Sequence, residues 1–185
     1  MFQHLFRFFL FSILAGLFVT CSDQMPNGSS NGSGYINFDS LLQAQNGRLV
    51  GKKFTKEVLL DGEREQLLFV ADSVGLAKDF SLFKALDLSP QILRGEVSIE
   101  KSRNQERFTN VSKSGAQEVL FTKNQNQSLS SISGRYYESN FLFESDRDFS
   151  LKFNSSSGML SEYSFSGYQK MLFADTVFFE VTGRF

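Results

Sequence analysis

The chain has 185 residues, with 19 Lys and Arg against 20 Asp and Glu, so its formal net charge of −1 gives no basic balance that points to nucleic acid. It contains one cysteine, Cys21, and one histidine, His4. An intrachain disulfide is excluded, and beyond the first twenty residues so are His-based nucleophile relays and the zinc, copper, haem and iron sites built on His or Cys.

Phe8 to Thr20 read FFLFSILAGLFVT, an uncharged apolar run of 13 residues behind Arg7 and the amino terminus. That is shorter than the roughly 20 residues a bilayer-spanning helix needs, and it has the make-up of a signal-peptide core. Cys21 follows at once, and after it comes SDQMPNGSSNGSG. A lone cysteine in that place resembles the lipidated cysteine of bacterial lipoproteins, although Phe18-Val19-Thr20 departs from the usual Leu, small, Gly or Ala order before it. The resemblance implies acylation of the thiol and cleavage before Cys21, leaving 165 of the 185 residues. The expected organisation is a leader over 1–20, a lipidated cysteine and flexible linker over 21–34, and one domain over 35–185. The linker is too polar to order itself; its r.m.s. reach is about 20 Å.

In the domain, Phe38, Leu41, Leu42, Gln45 and Leu49 recur at helical spacing behind Asn37, a fitting N-cap. FTKEVLL and REQLLFVA then flank Asp61-Gly62, the signature of a hairpin. Asp72 or Ser73 opens a second helix with Ala77, Phe80, Phe83 and Leu86 as its apolar stripe, and Ser89-Pro90 ends it. From Gly95 the period becomes two. Val97 and Ile99 alternate with charged and polar residues, as do Phe141, Phe143, Phe149, Leu151 and Phe153, then Met159, Tyr163 and Phe165, and finally Val177, Phe179, Val181 and Phe185. Polar segments at KSRNQE, KSGAQ, KNQNQ, ESDRD and NSSSG punctuate these runs. The predicted fold is α+β: an antiparallel meander of about six to eight strands, flat or curved, with two helices packed on one face. SISGRY at 131–136 echoes SFSGYQ at 164–169, and in each the glycine fits a bulge or a close contact better than a repeat.

Carboxylates are the chemistry that remains. Glu144, Asp146 and Asp148 alternate through FESDRDFS and in principle suit calcium or a glycosidase pair. They lie opposite the Phe face with Arg147 among them, which favours a solvated hairpin turn. Ser and Lys are both plentiful, yet no S-x-x-K segment stands in a context that singles out a dyad. Neither a catalytic residue nor a cofactor or metal is assigned.

Of 22 phenylalanines six lie in the leader, and there is no tryptophan. Buried rings each remove on the order of 150 Å² or more from water. If the sheet curls, Phe143, Phe149, Phe153, Phe165 and Phe179 would wall a hollow for acyl chains or another apolar ligand; the plain alternative is a packed sheet-on-helix core.

The leader, Cys21, the polar linker, the opening YINFDSLLQAQ and the closing GYQKMLFADTVFFEVTGRF together resemble small outer-membrane lipoproteins of the Bacteroidota. The resemblance implies an outer-membrane address, with Asp23 close to the sorting position, and assigns no activity. Three functional classes fit these features. The first is a lipid-anchored binding or accessory protein of the cell envelope, with the membrane and an envelope protein or lipid as partners. The second is a carrier of an apolar ligand, similar at fold level to lipoprotein-localisation factors. The third is an integral eight-stranded barrel closed by the Phe-terminated last strand.

Overall fold

A computed structural model describes residues 35–185; the expected leader, Cys21 and the linker to residue 34 lie outside the described residues. Helix α1 (Phe38–Leu49) begins where Asn37 accepts the Ser40 N–H at 2.9 Å, satisfying one of the donors a helix start leaves open. It buries Phe38, Leu42, Gln45 and Leu49. Gln45 is tolerated inside because both ends of its amide are used. Its Nε2 donates to the Gly158 carbonyl at 3.2 Å, and its Oε1 accepts the Leu160 N–H at 2.8 Å.

Strands β1 (Lys53–Leu60) and β2 (Glu63–Val70) form the expected hairpin. Asp61 and Gly62 both take positive φ, 48° and 91°, the paired left-handed geometry that matches strand twist in a two-residue turn. Asp72 then caps α2 (Ser73–Ser81), accepting from Val74 N–H at 3.0 Å and Gly75 N–H at 2.8 Å.

Past α2 the backbone tightens into a 3-10 turn over Leu82–Leu86, and a short α3 (Ser89–Leu93) follows with Pro90 at its start. The single helix expected up to Ser89-Pro90 is therefore three pieces, because Pro lacks only a donor that the first helical turn leaves unused anyway. The buried stripe is Leu76, Phe80, Phe83 and Leu86, with Ala77 exposed. Its spacing shortens to three across Leu86, as a 3-10 turn requires.

Seven further strands complete the fold: β3 (Val97–Lys101), β4 (Gln105–Asn110), β5 (Gly115–Lys123), β6 (Leu129–Ser139), β7 (Phe143–Phe153), β8 (Leu160–Met171) and β9 (Val177–Arg184). All nine strands form one antiparallel sheet in the order β2-β1-β9-β8-β7-β6-β5-β4-β3. The count exceeds the expected six to eight because β1 pairs with β9, Val58 opposite Val181, and so adds the hairpin to the meander. With β2 and β3 as edges, the sheet is not the closed eight-stranded barrel. ESDRD is also not a turn; it belongs to the first half of β7, paired with both β6 and β8.

Strand parity separates two faces. Toward the helices point Phe108, Val119, Phe121, Ile132, Phe149, Leu151, Tyr163 and Val181, all buried. The opposite face is polar and carries ion pairs between neighbouring strands. Glu162 meets Lys152 at 2.7 Å and Arg184 at 3.0 Å, and Glu57 meets Arg64 at 2.5 Å. Gly134 sits where β6 passes under the 3-10 turn: a Cβ there would stand 2.7 Å from Leu86 Cδ2 and 2.9 Å from the Glu118 carbonyl oxygen. That close approach accounts for the glycine of SISGRY.

Candidate functional site

The five phenylalanines singled out as pocket walls all lie on the helix-facing side of the sheet, spread along it. Phe83 from the 3-10 turn packs edge-on against Phe149, with ring centroids 5.5 Å apart, and against Phe165 at 6.4 Å. Phe179 lies beside Phe165 at 6.3 Å. These three are brought together. Phe143 and Phe153 stand at opposite ends of β7, about 33 Å apart by strand rise. Phe153 is buried, whereas Phe143 borders a shallow cavity of about 200 Å³ at the sheet's end.

A better-formed cleft of about 270 Å³ opens between the β1–β2 hairpin and α2. Phe54, Phe69, Val70 and Leu76 supply its apolar lining, and Lys56 and Asp79 stand at its wall. Lys56 Nζ reaches both Asp79 oxygens, at 2.7 and 2.8 Å. Tyr163, fully buried in β8, donates its hydroxyl to Asp79 Oδ2 at 2.5 Å. Burial, reinforced by the hydrogen bond to this carboxylate, pushes the Tyr163 phenol far above its ordinary value. The arrangement holds a carboxylate between a cation and a phenol, so its charge is compensated and its lone pairs are occupied. It is well suited to fix α2 over β1, and it offers an apolar slot with one polar wall. The sequence reading missed it because Lys56, Asp79 and Tyr163 are far apart along the chain and meet only through the β1–β9–β8 pairing.

The carboxylates of β7 lie side by side on the polar face. Glu144 accepts from the Tyr168 hydroxyl at 2.5 Å. Asp146 is held in a two-pronged pair by Arg135, with Nε to Oδ1 at 2.9 Å, and this bond keeps its carboxyl below the usual range. Asp148 is exposed. Among the described residues no group of three His, Cys, Asp or Glu side chains is arranged to hold a metal ion. Nor is any described helix long and apolar enough to cross a membrane.

One surface feature was not anticipated. Phe141 was expected inside, sharing parity with Phe143, yet it lies in the loop between β6 and β7 and is 82% exposed; its neighbour Leu142 is 63% exposed. In the adjacent loop between β8 and β9, Phe173 is 95% exposed. The loops are joined by a hydrogen bond from Leu172 N–H to the Leu142 carbonyl at 3.0 Å. The signal that conceals these loops is their composition: SNFLF and MLFAD read as continuing strands.

No protein-family model matches the chain, and comparisons with curated proteins and with solved structures find no match.

Proposed function

We propose that this chain is a lipid-anchored protein of the cell envelope, held on the outer membrane by acyl chains on Cys21 and acting as a non-catalytic binding or accessory protein. The observation that carries the reading is the place of its only cysteine, directly behind 13 apolar residues and ahead of a polar segment. The start of the domain accords with it. Tyr35 is fastened by a hydroxyl that donates to the Leu86 carbonyl at 2.6 Å and accepts the Leu88 N–H at 2.9 Å. A linker from Cys21 would therefore enter the fold at a fixed point. Labelling cells with radioactive palmitate tests this reading. Label is expected in the full-length chain and absent from its Cys21→Ser variant; an unlabelled wild-type chain would sink the anchor.

A second reading, carriage of a lipid or another apolar ligand, is favoured by the cleft between the hairpin and α2 rather than by the five phenylalanines. Its lining by Phe54, Phe69, Val70 and Leu76 suits an acyl chain. Extraction of purified full-length protein should then yield a lipid beyond that bound to Cys21. A Leu76→Trp variant, filling the cleft, should lose it.

A further inference from the structure

The two ends of the sheet are chemically opposite. At one end the turns are SRN after β3, the Asn, Gln and Ser segment after β5, and Asn154 to Gly158 after β7. At the other end the β1–β2 and β4–β5 turns are Asp61-Gly62 and the stretch of Val111 to Ser114. The other two of its four turns, β6–β7 and β8–β9, carry Phe141, Leu142, Leu172 and Phe173, and the strand ends add Met171 and Phe178, all exposed. Burial in the fold explains none of these side chains. Together they present roughly several hundred Å² of apolar surface, a size that marks an interaction site rather than scatter.

We propose that this apolar end inserts into the lipid of the membrane that carries the anchor, with Phe141 and Phe173 as its deepest side chains. The proposal takes the acylated Cys21 as its premise. Three observations favour lipid over a protein partner. First, Phe141 and Phe173 project at 82% and 95% exposure from the crests of separate turns, and the hollow that Phe141 lines with Leu142, Met171 and Leu172 is the shallow cavity of about 200 Å³, too small to seat a helix. Second, the charged residues nearest them, Asp61, Glu144, Lys170 and Asp175, carry one positive charge against three negative. Attraction to acidic headgroups is therefore not the driver, and removal of apolar surface from water is.

Third, the distances agree. Tyr35 packs on Phe121, at a centroid distance of 5.5 Å, and Phe121 is level across the sheet with Ile132 and Leu151. From Leu151 to Phe143 is eight residues of β7, about 26 Å. The 14 residues from Cys21 to Tyr35 span at most roughly 46 Å. An acyl chain on Cys21 and the apolar end of the sheet can thus share one membrane surface. The domain would then stand on this end, leaving the Asn- and Ser-rich turns outermost.

The absence of tryptophan supplies the probe. Phe173→Trp in the full-length chain, placed in phosphatidylcholine vesicles containing brominated acyl chains, becomes the sole indole emitter. Its emission is expected to shift to the blue and to be quenched, while Ser156→Trp at the opposite end is neither shifted nor quenched. Intact mass of the same preparation reports whether Cys21 is acylated. An acylated, vesicle-bound Phe173→Trp chain with unshifted, unquenched emission would overturn the insertion while leaving the anchor standing. A chain without acyl groups would remove the premise instead. A blue shift that appears in vesicle-free solution and grows with protein concentration would assign this end to a second copy, and so overturn the insertion too. Phe141→Ser added to Phe173→Trp is expected to weaken the quenching, confirming that both turns enter together.

Discussion

The hydroxyl of Tyr163 in β8 donates to Asp79 of α2 at 2.5 Å, across 84 residues of sequence, while Lys56 of β1 holds the same carboxylate at 2.7 Å. Sheet and helix are locked by one carboxylate shared between two strands. Tyr163→Phe keeps the ring and deletes the donor, so a loss of about 1 kcal/mol is expected in urea unfolding. Asp79→Ala leaves both the phenol and a largely covered Lys56 without a partner, and a larger loss of about 2 kcal/mol or more follows. Equal losses for the two variants would show that Lys56 draws nothing from the pair.

Stability should fall at both ends of the pH scale, for opposite reasons. Burial raises the phenols of Tyr163 and Tyr35 above their ordinary value near 10, so the unfolded chain loses these protons first. Their contribution is complete below about pH 10 and declines above it. Glu106, Glu162 and Asp146 are lowered by hydrogen bonds from Lys123, Lys152 and Arg135, respectively. What they contribute is present above the ordinary carboxylate range and is lost as pH falls through their depressed values. Melting curves between neutral pH and pH 11 should slope downward, and Tyr163→Phe should flatten the alkaline limb. A limb unchanged by that substitution would assign it to other groups.

Gly134 is a test of packing between the 3-10 turn and β6. Gly134→Ala would press a methyl into Leu86 and the Glu118 carbonyl, and a cost of about 1–3 kcal/mol is expected from the forced shift. Combining it with Leu86→Ala should cost less than the sum of the single changes, since the truncated side chain leaves room. Strict additivity in the double-mutant cycle would mean that the clash is relieved elsewhere.

Much of the fold is legible in the sequence where local chemistry decides it. Asn37 with the spacing of Phe38, Leu42, Gln45 and Leu49 specifies α1, and Asp61-Gly62 specifies the hairpin. Five features were not legible, each for a physical reason. ESDRD looks like a turn because it is polar, but its carboxylates alternate with the inward Ser145 and Arg147. Arg147 Nε donates to Ser145 Oγ at 2.8 Å, and its guanidinium lies 5.7 Å from the Tyr136 ring centre, so β7 continues through it. Ala77 and Leu76 both fit a helical stripe, and only the tightening after Ser81 decides for Leu76. The β1–β9 pairing joins strands far apart in sequence, Leu60 opposite Phe179, which no local pattern encodes. The cleft beside α2 was hidden by that pairing, and the apolar turns were hidden because apolar residues were read as buried.

Those turns give a contrasting prediction. Phe141→Ser and Phe173→Ser remove side chains that touch little, so each should change stability by no more than about 0.5 kcal/mol. Phe149→Ala, under Phe83, should cost about 3–5 kcal/mol. Denaturant unfolding of the three variants separates a surface kept for binding from one kept for folding. A large loss at Phe173 would place it among the folding contacts.

The central claim concerns Cys21, and the most direct measurement is the intact mass of the full-length gene product recovered from membranes. The account predicts a chain that begins at Cys21 and carries the added mass of a diacylglyceryl group, with or without a third acyl chain. A chain that retains residues 1–20, or one whose Cys21 is a free thiol, would contradict it.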